Sequence, residues 1–512
     1  MMDLWHTLVS ILFILAPVFL YHNVALRSTS AEPPLIKGRL PFIGVALNFV
    51  SDPQPLLEKM RAKLGWIYTL YLGGRRMTIV SDPVLGIRQV YSQGRIFDAG
   101  EFFRYLNIKL FNYTERINSN SEFQEALVRH VITYLSSPAN IDAIAKDLQA
   151  EYRVLVDENS PFCNDDYTLQ NGTTVDLYGF ARKTMYVSAA YAVFGKSFPA
   201  DSLYRNYINF EDSLLRFIKG YPYVFNRSGQ DARKAVLADL GDFFIDQEKA
   251  SRSSPFITGI SALFDKFGYM TREDLSGYFL SIVFASKSNS IPIAFWYLAF
   301  IVHDPEFKAE IIELIKKNYV KETKDFDWKA LYSDPLLNSA FKETTRLASN
   351  ITSGRAITRD AMIKVADSKD RTKSKEYYLR KGDSVLILSS LTHWDPDAFP
   401  DPMAWHARRF LPDSSSSSNP LVPHEHADKD TKEPQWRAYI PWGGGGHMCP
   451  GRHLAIVEAV TQLVYMLWYF DIEPVSKTVP KMKVGENYGG GVLKPASAYT
   501  VKIRRRSEPL VS

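Results

Sequence analysis

Apolar residues fall along this chain in three rhythms. The first is an unbroken run. Residues 4–24, LWHTLVSILFILAPVFLYHNV, hold no Asp, Glu, Lys or Arg, and about 20 such residues span a bilayer as a helix. No small-residue cleavage site follows, so residues 1–26 are expected to form a retained transmembrane anchor. Asp3 precedes the run and Arg27, Lys37 and Arg39 follow it, a charge order that leaves the remaining chain in the cytosol. Residues 27–44, rich in proline and glycine, read as a semi-stiff hinge ahead of a globular body over 45–512. The second rhythm is alternation. WIYTLYLGGRRMTIVSDP, residues 66–83, reads as two strands around Gly73-Gly74. Short strands are expected over 360–395, and ENYGGGVLKPASAYTVKIR at the end reads as a hairpin. The third is apolar spacing of three and four, which predicts helices over most of 120–350 and again over 451–469. The longest helical run, residues 275–305, contains Lys287, Asn289 and several serines, so it reads as one central core helix and not as a second span. Residues 413–433 are polar and serine-rich, a loop insertion. Helices dominate and strands are few, which predicts one large, mainly α domain with small β-sheets.

Composition narrows the class. An apolar content of 46% supports a large core, and a diffuse net charge of +5 without basic blocks excludes a nucleic-acid partner. Two cysteines, Cys163 and Cys449, exclude a disulfide framework and a cysteine-built zinc site, and suggest a reducing compartment. The sequons at Asn112, Asn171, Asn226 and Asn350 are of the number expected by chance in a chain this long.

One stretch points to chemistry. PWGGGGHMCPGRHLA, residues 441–455, sets Cys449 at the edge of a predicted helix. Free N–H groups there stabilise a thiolate. The glycines let a backbone pass close to a flat cofactor, and such a thiolate suits haem iron as an axial ligand. Taken alone, the stretch is equally an inert buried cysteine in a glycine turn. The loop resembles the haem-binding loop of the cytochrome P450 family at Trp442, Gly445, His447, Cys449 and Gly451. Trp442 stands in place of the common phenylalanine, and His447 in place of an arginine that meets a haem propionate. FKETTRLAS resembles the family's buried Glu-x-x-Arg at Glu343 and Arg346, and AFPDPMAWHARRFLP supplies Arg409 as the third member of that network. The resemblance implies the P450 fold, a single large domain behind the anchor, and haem b held by Cys449. It further implies propionate contacts from Arg355 and from Arg129 and His130, dioxygen chemistry fed by NADPH-cytochrome P450 reductase with cytochrome b5 as a second donor, and an endoplasmic reticulum membrane location with the catalytic domain facing the cytosol.

The central helix departs from the family. An acid–alcohol pair that relays protons during dioxygen activation is replaced by Ser288 and Asn289, followed by Pro292. Proline removes an N–H and frees a carbonyl one turn back, at Ser288. ASKSNSIPIAFW is similar to the corresponding helix of sterol 7-alpha-hydroxylases and of prostacyclin synthase. The resemblance therefore implies a monooxygenase, and leaves open an isomerase or dehydratase that needs no redox partner, or a non-catalytic haem-binding helper. Pocket walls are expected from Phe102, Phe103, Tyr105, Ala285, Ile351, Thr352 and Val492, with Tyr488 and Gly489 beside them, and a bilayer-touching lid from residues 214–225. The expected substrate is a lipophilic terpenoid, meroterpenoid or steroid, in fungal secondary metabolism.

Overall fold

The computed structural model describes residues 28–512 apart from 39, 41, 52, 158, 161, 163–171, 371, 412–436, 486–489, 507–509, 511 and 512. The anchor, the polar insertion, Cys163, Tyr488 and Gly489 therefore lie outside the described residues. Among the described residues no helix is long and apolar enough to cross a membrane.

Helices make up most of the body, and the strands gather in small sheets. Gly73 and Gly74, at φ 55° and 83°, turn the chain between Ile67–Leu72 and Arg75–Val80, whose residues pair antiparallel. That hairpin sits in a sheet that runs on through Ser384–Leu388 and Ser349–Ile357 to Gly490–Val492. The stretch read as a hinge is not a free spacer in its described part. Leu35–Ile36 adds a parallel strand to Ile67–Leu72, and the buried Glu32 carboxylate bonds Arg76 and Arg380 at 2.6 Å each. Nor is the C-terminal end a hairpin. Gly490–Val492 pairs with Ser349–Ile357, whereas Thr500–Arg505 lies between Phe470–Pro474 and Thr173–Asp176 in a different sheet. Alternation along the chain marks strands but not their partners.

The central run is two helices, Arg272–Lys287 and Ser290–His303, separated at Ser288 and Asn289. Thr271 caps the first by accepting from the Asp274 N–H. The break has a local cause. Pro292 offers no N–H to the Ser288 carbonyl, so the ladder stops one turn before it. Beyond the break Ser290–His303 is buried almost all round, packed against Leu177–Phe194, Pro335–Ala348 and Arg452–Tyr469. Its two largest polar tips are satisfied inside. Trp296 Nε1 donates to the Leu493 carbonyl at 2.6 Å and Tyr297 Oη to the Leu337 carbonyl at 3.0 Å.

Candidate active site

The foundation is a charged network in the dry core. Helix Pro335–Ala348 is capped by Asp334, which accepts from the Leu336 and Leu337 N–H groups. Spacing of three puts Glu343 and Arg346 on one face, both fully buried. Arg346 Nε and Nη2 donate to the two Glu343 oxygens at 2.7 and 2.8 Å. Arg409 Nε reaches both oxygens at 3.0 Å, and the His406 N–H adds a bond at 3.1 Å. Arg346 Nη1 also donates to the carbonyls of His393 and Pro402 at 2.7 Å. So every charge has a partner, which is what makes an interior ion cluster tolerable. The cluster connects to the cysteine loop. Burial and the Arg346 charge push His393 down to about 3, so its ring stays neutral. His393 Nε2 accepts from the Ile440 N–H at 2.9 Å, and Thr345 Oγ1 bonds Tyr439 Oη at 2.6 Å.

From Ile440 the chain enters the loop. Trp442 stacks on Phe341 with ring centres 6.4 Å apart, and its carbonyl accepts from the Cys449 N–H at 2.9 Å. Gly443 and Gly445 take φ values of 69° and 66°, which suit glycine. The glycines also have a neighbour that the sequence reading did not include. A Cβ on Gly444 would lie 2.3 Å from the Tyr91 ring, and one on Gly445 would lie 2.2 Å from the Tyr91 carbonyl oxygen. Two of the four glycines thus admit Tyr91, from helix Gly86–Ser92. Gly445→Ala is expected to cost about 1–2 kcal/mol from the left-handed backbone alone, with the clash added. Thermal unfolding together with the haem content of the purified variant checks this. Cys449 precedes helix Arg452–Tyr469. Burial pushes its thiol up, while the backbone N–H groups of Gly451 and Arg452 and the Arg452 charge pull it back toward thiolate.

A second wall is built from Ser349–Ile357 and the strand beside it. Arg355 is only 6% exposed. No carboxylate pairs with it among the described residues; it lies over the Tyr91 ring at 5.6 Å and donates to the Gly354 carbonyl at 2.9 Å. Burial lowers its pKa, as expected for a cation short of an anion. His447 sits 5.7 Å from the Phe103 ring, and burial followed by the Arg355 charge lowers its pKa too. At the helix break Asn289 Oδ1 accepts from the Val492 N–H at 2.9 Å. The Ser288 Oγ is buried without a partner among the described residues.

These residues fit a haem: a thiol under converging N–H groups, and a buried guanidinium, without an ion-paired carboxylate among the described residues, suited to a propionate. Cys449 could hold the iron, and Arg355 and His447 could meet the carboxylates. The family model for cytochrome P450 matches residues 33–503. The chain belongs to the cytochrome P450 family. As a P450 it binds haem b and is an oxidoreductase, which sets aside the non-catalytic reading. Members use redox partners and lipophilic substrates. Its similar proteins include cytochrome P450 7A1 of Sus scrofa, 24% identical over 92% of this chain and 93% of the relative. The 5-beta-cholestane-3-alpha,7-alpha-diol 12-alpha-hydroxylase of Sus scrofa is 25% identical over 99% of this chain and 100% of its own length. The 7-alpha-hydroxycholest-4-en-3-one 12-alpha-hydroxylase of Homo sapiens is 26% identical over the same shares. The chain is thus a P450 monooxygenase related to sterol and steroid hydroxylases.

One P450 site expectation needs correction. His130 does not turn toward the cysteine loop. Its Nε2 lies 3.0 Å from the Phe256 carbonyl and its ring stacks on Phe256, across the contact with helix Pro255–Lys266. Arg129 is exposed on the same helix Ser121–Leu135. Asn289 is only partly available for proton transfer, because its oxygen is committed to Val492, which leaves Nδ2 as the end without a hydrogen-bond partner among the described residues. Phe102 lies against the position a Cβ would take on Gly354, at 3.6 Å, so helix Gly100–Phe111 covers the strand that carries Ile351 and Thr352. Phe102, Phe103 and Tyr105 are exposed, as is Ala285, while Val492 is buried. Tyr91 and His393 were missed. Neither lies in a chemistry-bearing motif, and only the glycine run at 443–446 hinted that something approaches the loop.

Proposed function

We propose that this P450 hydroxylates a sterol- or steroid-like polycyclic lipid, with Cys449 as the axial ligand of haem iron. The observation that carries the reading is the break at Ser288–Asn289, where an amide and a buried hydroxyl stand in for the usual acid–alcohol pair. When bound, the haem supplies dioxygen activation and oxygen insertion. The chain's own residues do the rest. Asn289, anchored through Oδ1, keeps Nδ2 as a fixed donor, and Ser288 Oγ can pass a proton. Phe102, Phe103, Thr352 and Val492 give apolar walls that exclude water and orient fused rings. The names of the relatives, all hydroxylases or P450s matched over nearly their whole length, support the sterol-like class. Terpenoids and meroterpenoids of fungal secondary metabolism share that shape. Electrons come from NADPH-cytochrome P450 reductase, with cytochrome b5 as a second donor. We place the protein on the endoplasmic reticulum, body in the cytosol. Exposed Phe42, Leu47 and Val50 and exposed Tyr223, Val224 and Phe225 suit contact with a bilayer surface.

The test is a carbon monoxide difference spectrum of membranes holding the protein, reduced by NADPH and reductase, with a panel of sterols and terpenoids. A thiolate-type Soret band under NADPH, with hydroxylated product, supports the reading. A band under dithionite alone, whatever is added, moves the assignment to a peroxide- or oxime-directed isomerase or dehydratase. No band from folded protein would sink the Cys449 assignment. Asn289→Ala provides a second check. It leaves the Val492 N–H without its acceptor, a cost of about 1–3 kcal/mol, and removes the fixed donor. Product formed per NADPH is expected to fall several-fold, with peroxide released instead.

A further inference from the structure

Lys287 and Glu458 are buried ionisable groups that the site above does not use. Lys287 ends helix Arg272–Lys287 and Glu458 lies on helix Arg452–Tyr469, at 0% and 2% exposure. Neither Lys287 Nζ nor Glu458 Oε1 has a hydrogen-bond partner among the described residues, yet the two charges act on each other. They are close enough to couple and too far apart to pair directly. Other orphans lie nearby in the packing. Gln462, one turn beyond Glu458, donates Nε2 to Thr184 Oγ1 at 2.9 Å and to the Ala181 carbonyl at 3.2 Å, which leaves its Oε1 unpartnered. Ser188, one turn beyond Thr184, has a buried and unpartnered hydroxyl. Interior polar atoms left open in this way are the usual setting of an ordered internal water. The pair also connects to the helix break. Ser288, next in the chain after Lys287, has a buried hydroxyl without a partner among the described residues, and Ser290, whose Oγ donates to the Ser286 carbonyl at 2.9 Å, lies close enough to Glu458 to draw its carboxyl back toward ionisation.

We propose that Lys287 and Glu458, bridged by internal water, hold an exchangeable proton and supply it along that water to Ser288 at the broken turn. The proposal rests on the monooxygenase reading. In each delivery an O–H bond of Glu458 or an N–H bond of Lys287 breaks, the proton moves along internal water to Ser288 Oγ as that hydroxyl releases its own proton onward, and bulk water returns a proton to the pair; no electron moves. Lys287 and Glu458 are positioning residues, since neither touches substrate or cofactor. Their surroundings favour exchange. Burial pushes Lys287 down to about 8 and Glu458 up to about 7, each opposed by the other's charge. Tyr152, from helix Pro138–Leu155, also feels the Glu458 charge, and burial holds it neutral. Ser290 beside Glu458, and Gln462 one turn on with Thr184 bonded to it, do not titrate.

Two readouts on the haem-loaded protein test this. The first is thermal stability against pH. Below about 7 the folded state holds a proton on Glu458 that the unfolded chain releases above 4.5. Above about 8 it lacks a proton on Lys287 that the unfolded chain keeps up to 10.5. The pair therefore weakens the fold most between these values. The double variant Lys287→Met with Glu458→Leu should gain in Tm most near pH 7–8, and less toward either extreme. The second readout is peroxide released per NADPH against pH. Glu458→Gln and Lys287→Gln, and the double variant should either single one fold poorly, are expected to raise it several-fold and to flatten its pH dependence, with the thiolate-type Soret band intact. A Tm gain that does not vary with pH, or unchanged peroxide release in the variants, overturns the proposal alone. Absence of NADPH-driven turnover in the unsubstituted protein overturns it together with the monooxygenase reading.

Discussion

Glu343→Ala is expected to give a protein that loses its fold well below the temperature of the parent and purifies without haem. The carboxylate is fully buried and accepts from Arg346, Arg409 and the His406 N–H. Removing it strands two guanidinium groups facing each other in a dry interior. Breaking one buried pair costs about 3–5 kcal/mol, a large share of the 5–15 kcal/mol that holds a typical domain together, as an order of magnitude. Two stranded cations push the loss to the upper end of that range or beyond. The damage reaches the cysteine loop by a short path. Arg346 Nη1 fixes the His393 carbonyl, and His393 Nε2 fixes the Ile440 N–H, two residues ahead of Trp442. Glu343→Gln keeps the shape and the acceptor oxygen but not the charge, so it should fall between parent and alanine variant. Thermal unfolding and the haem-to-protein absorbance ratio measure both effects. Equal melting temperatures for the three proteins would show that the network does not support the fold.

Cys449→Ser is expected to leave the fold close to intact and to abolish both the thiolate-type Soret band and substrate oxidation. The change deletes no packing volume of consequence. The loop is held by bonds that do not involve sulfur, namely the Cys449 N–H to the Trp442 carbonyl and the Met448 N–H to the Gly445 carbonyl at 3.2 Å. What disappears is the thiolate. A hydroxyl at that position stays protonated at neutral pH and gives the metal little of the electron density that favours O–O cleavage. The expected loss of turnover is at least a hundredfold. The carbon monoxide difference spectrum reports the ligand, and circular dichroism reports the fold. A retained thiolate-type band in the serine variant would assign the ligand elsewhere.

Much of the site was legible because its parts are local. Glu343 and Arg346 share a helix face by spacing, and Cys449 with its glycines is one short segment ahead of a helix. Pro292 by itself marked the place where the central helix gives way, although the long apolar pattern still read as one helix. Periodicity records which residues want burial and does not register a missing N–H. His130 misled because its place beside Arg129 resembles a cofactor contact, while its ring is taken up by Phe256 from a helix far along the chain. The hinge misled because proline and glycine report stiffness and turns. They do not report that Glu32 inserts between Arg76 and Arg380.

By itself, the sequence determined the family, the cysteine proposed to hold the iron, the ion-paired brace and the departure at Ser288–Asn289. These are identities at fixed short spacings, which chain geometry alone turns into neighbours. Only the tertiary structure decided what each polar atom meets. It gave Asn289 Oδ1 to the Val492 N–H, set Tyr91 against Gly444 and Gly445, left Arg355 without an ion-paired carboxylate among the described residues, and enclosed Lys287 with Glu458. The physical reason is that burial, partner and charge state belong to the space around a side chain. In this protein that space is assembled from segments that lie far apart along the chain.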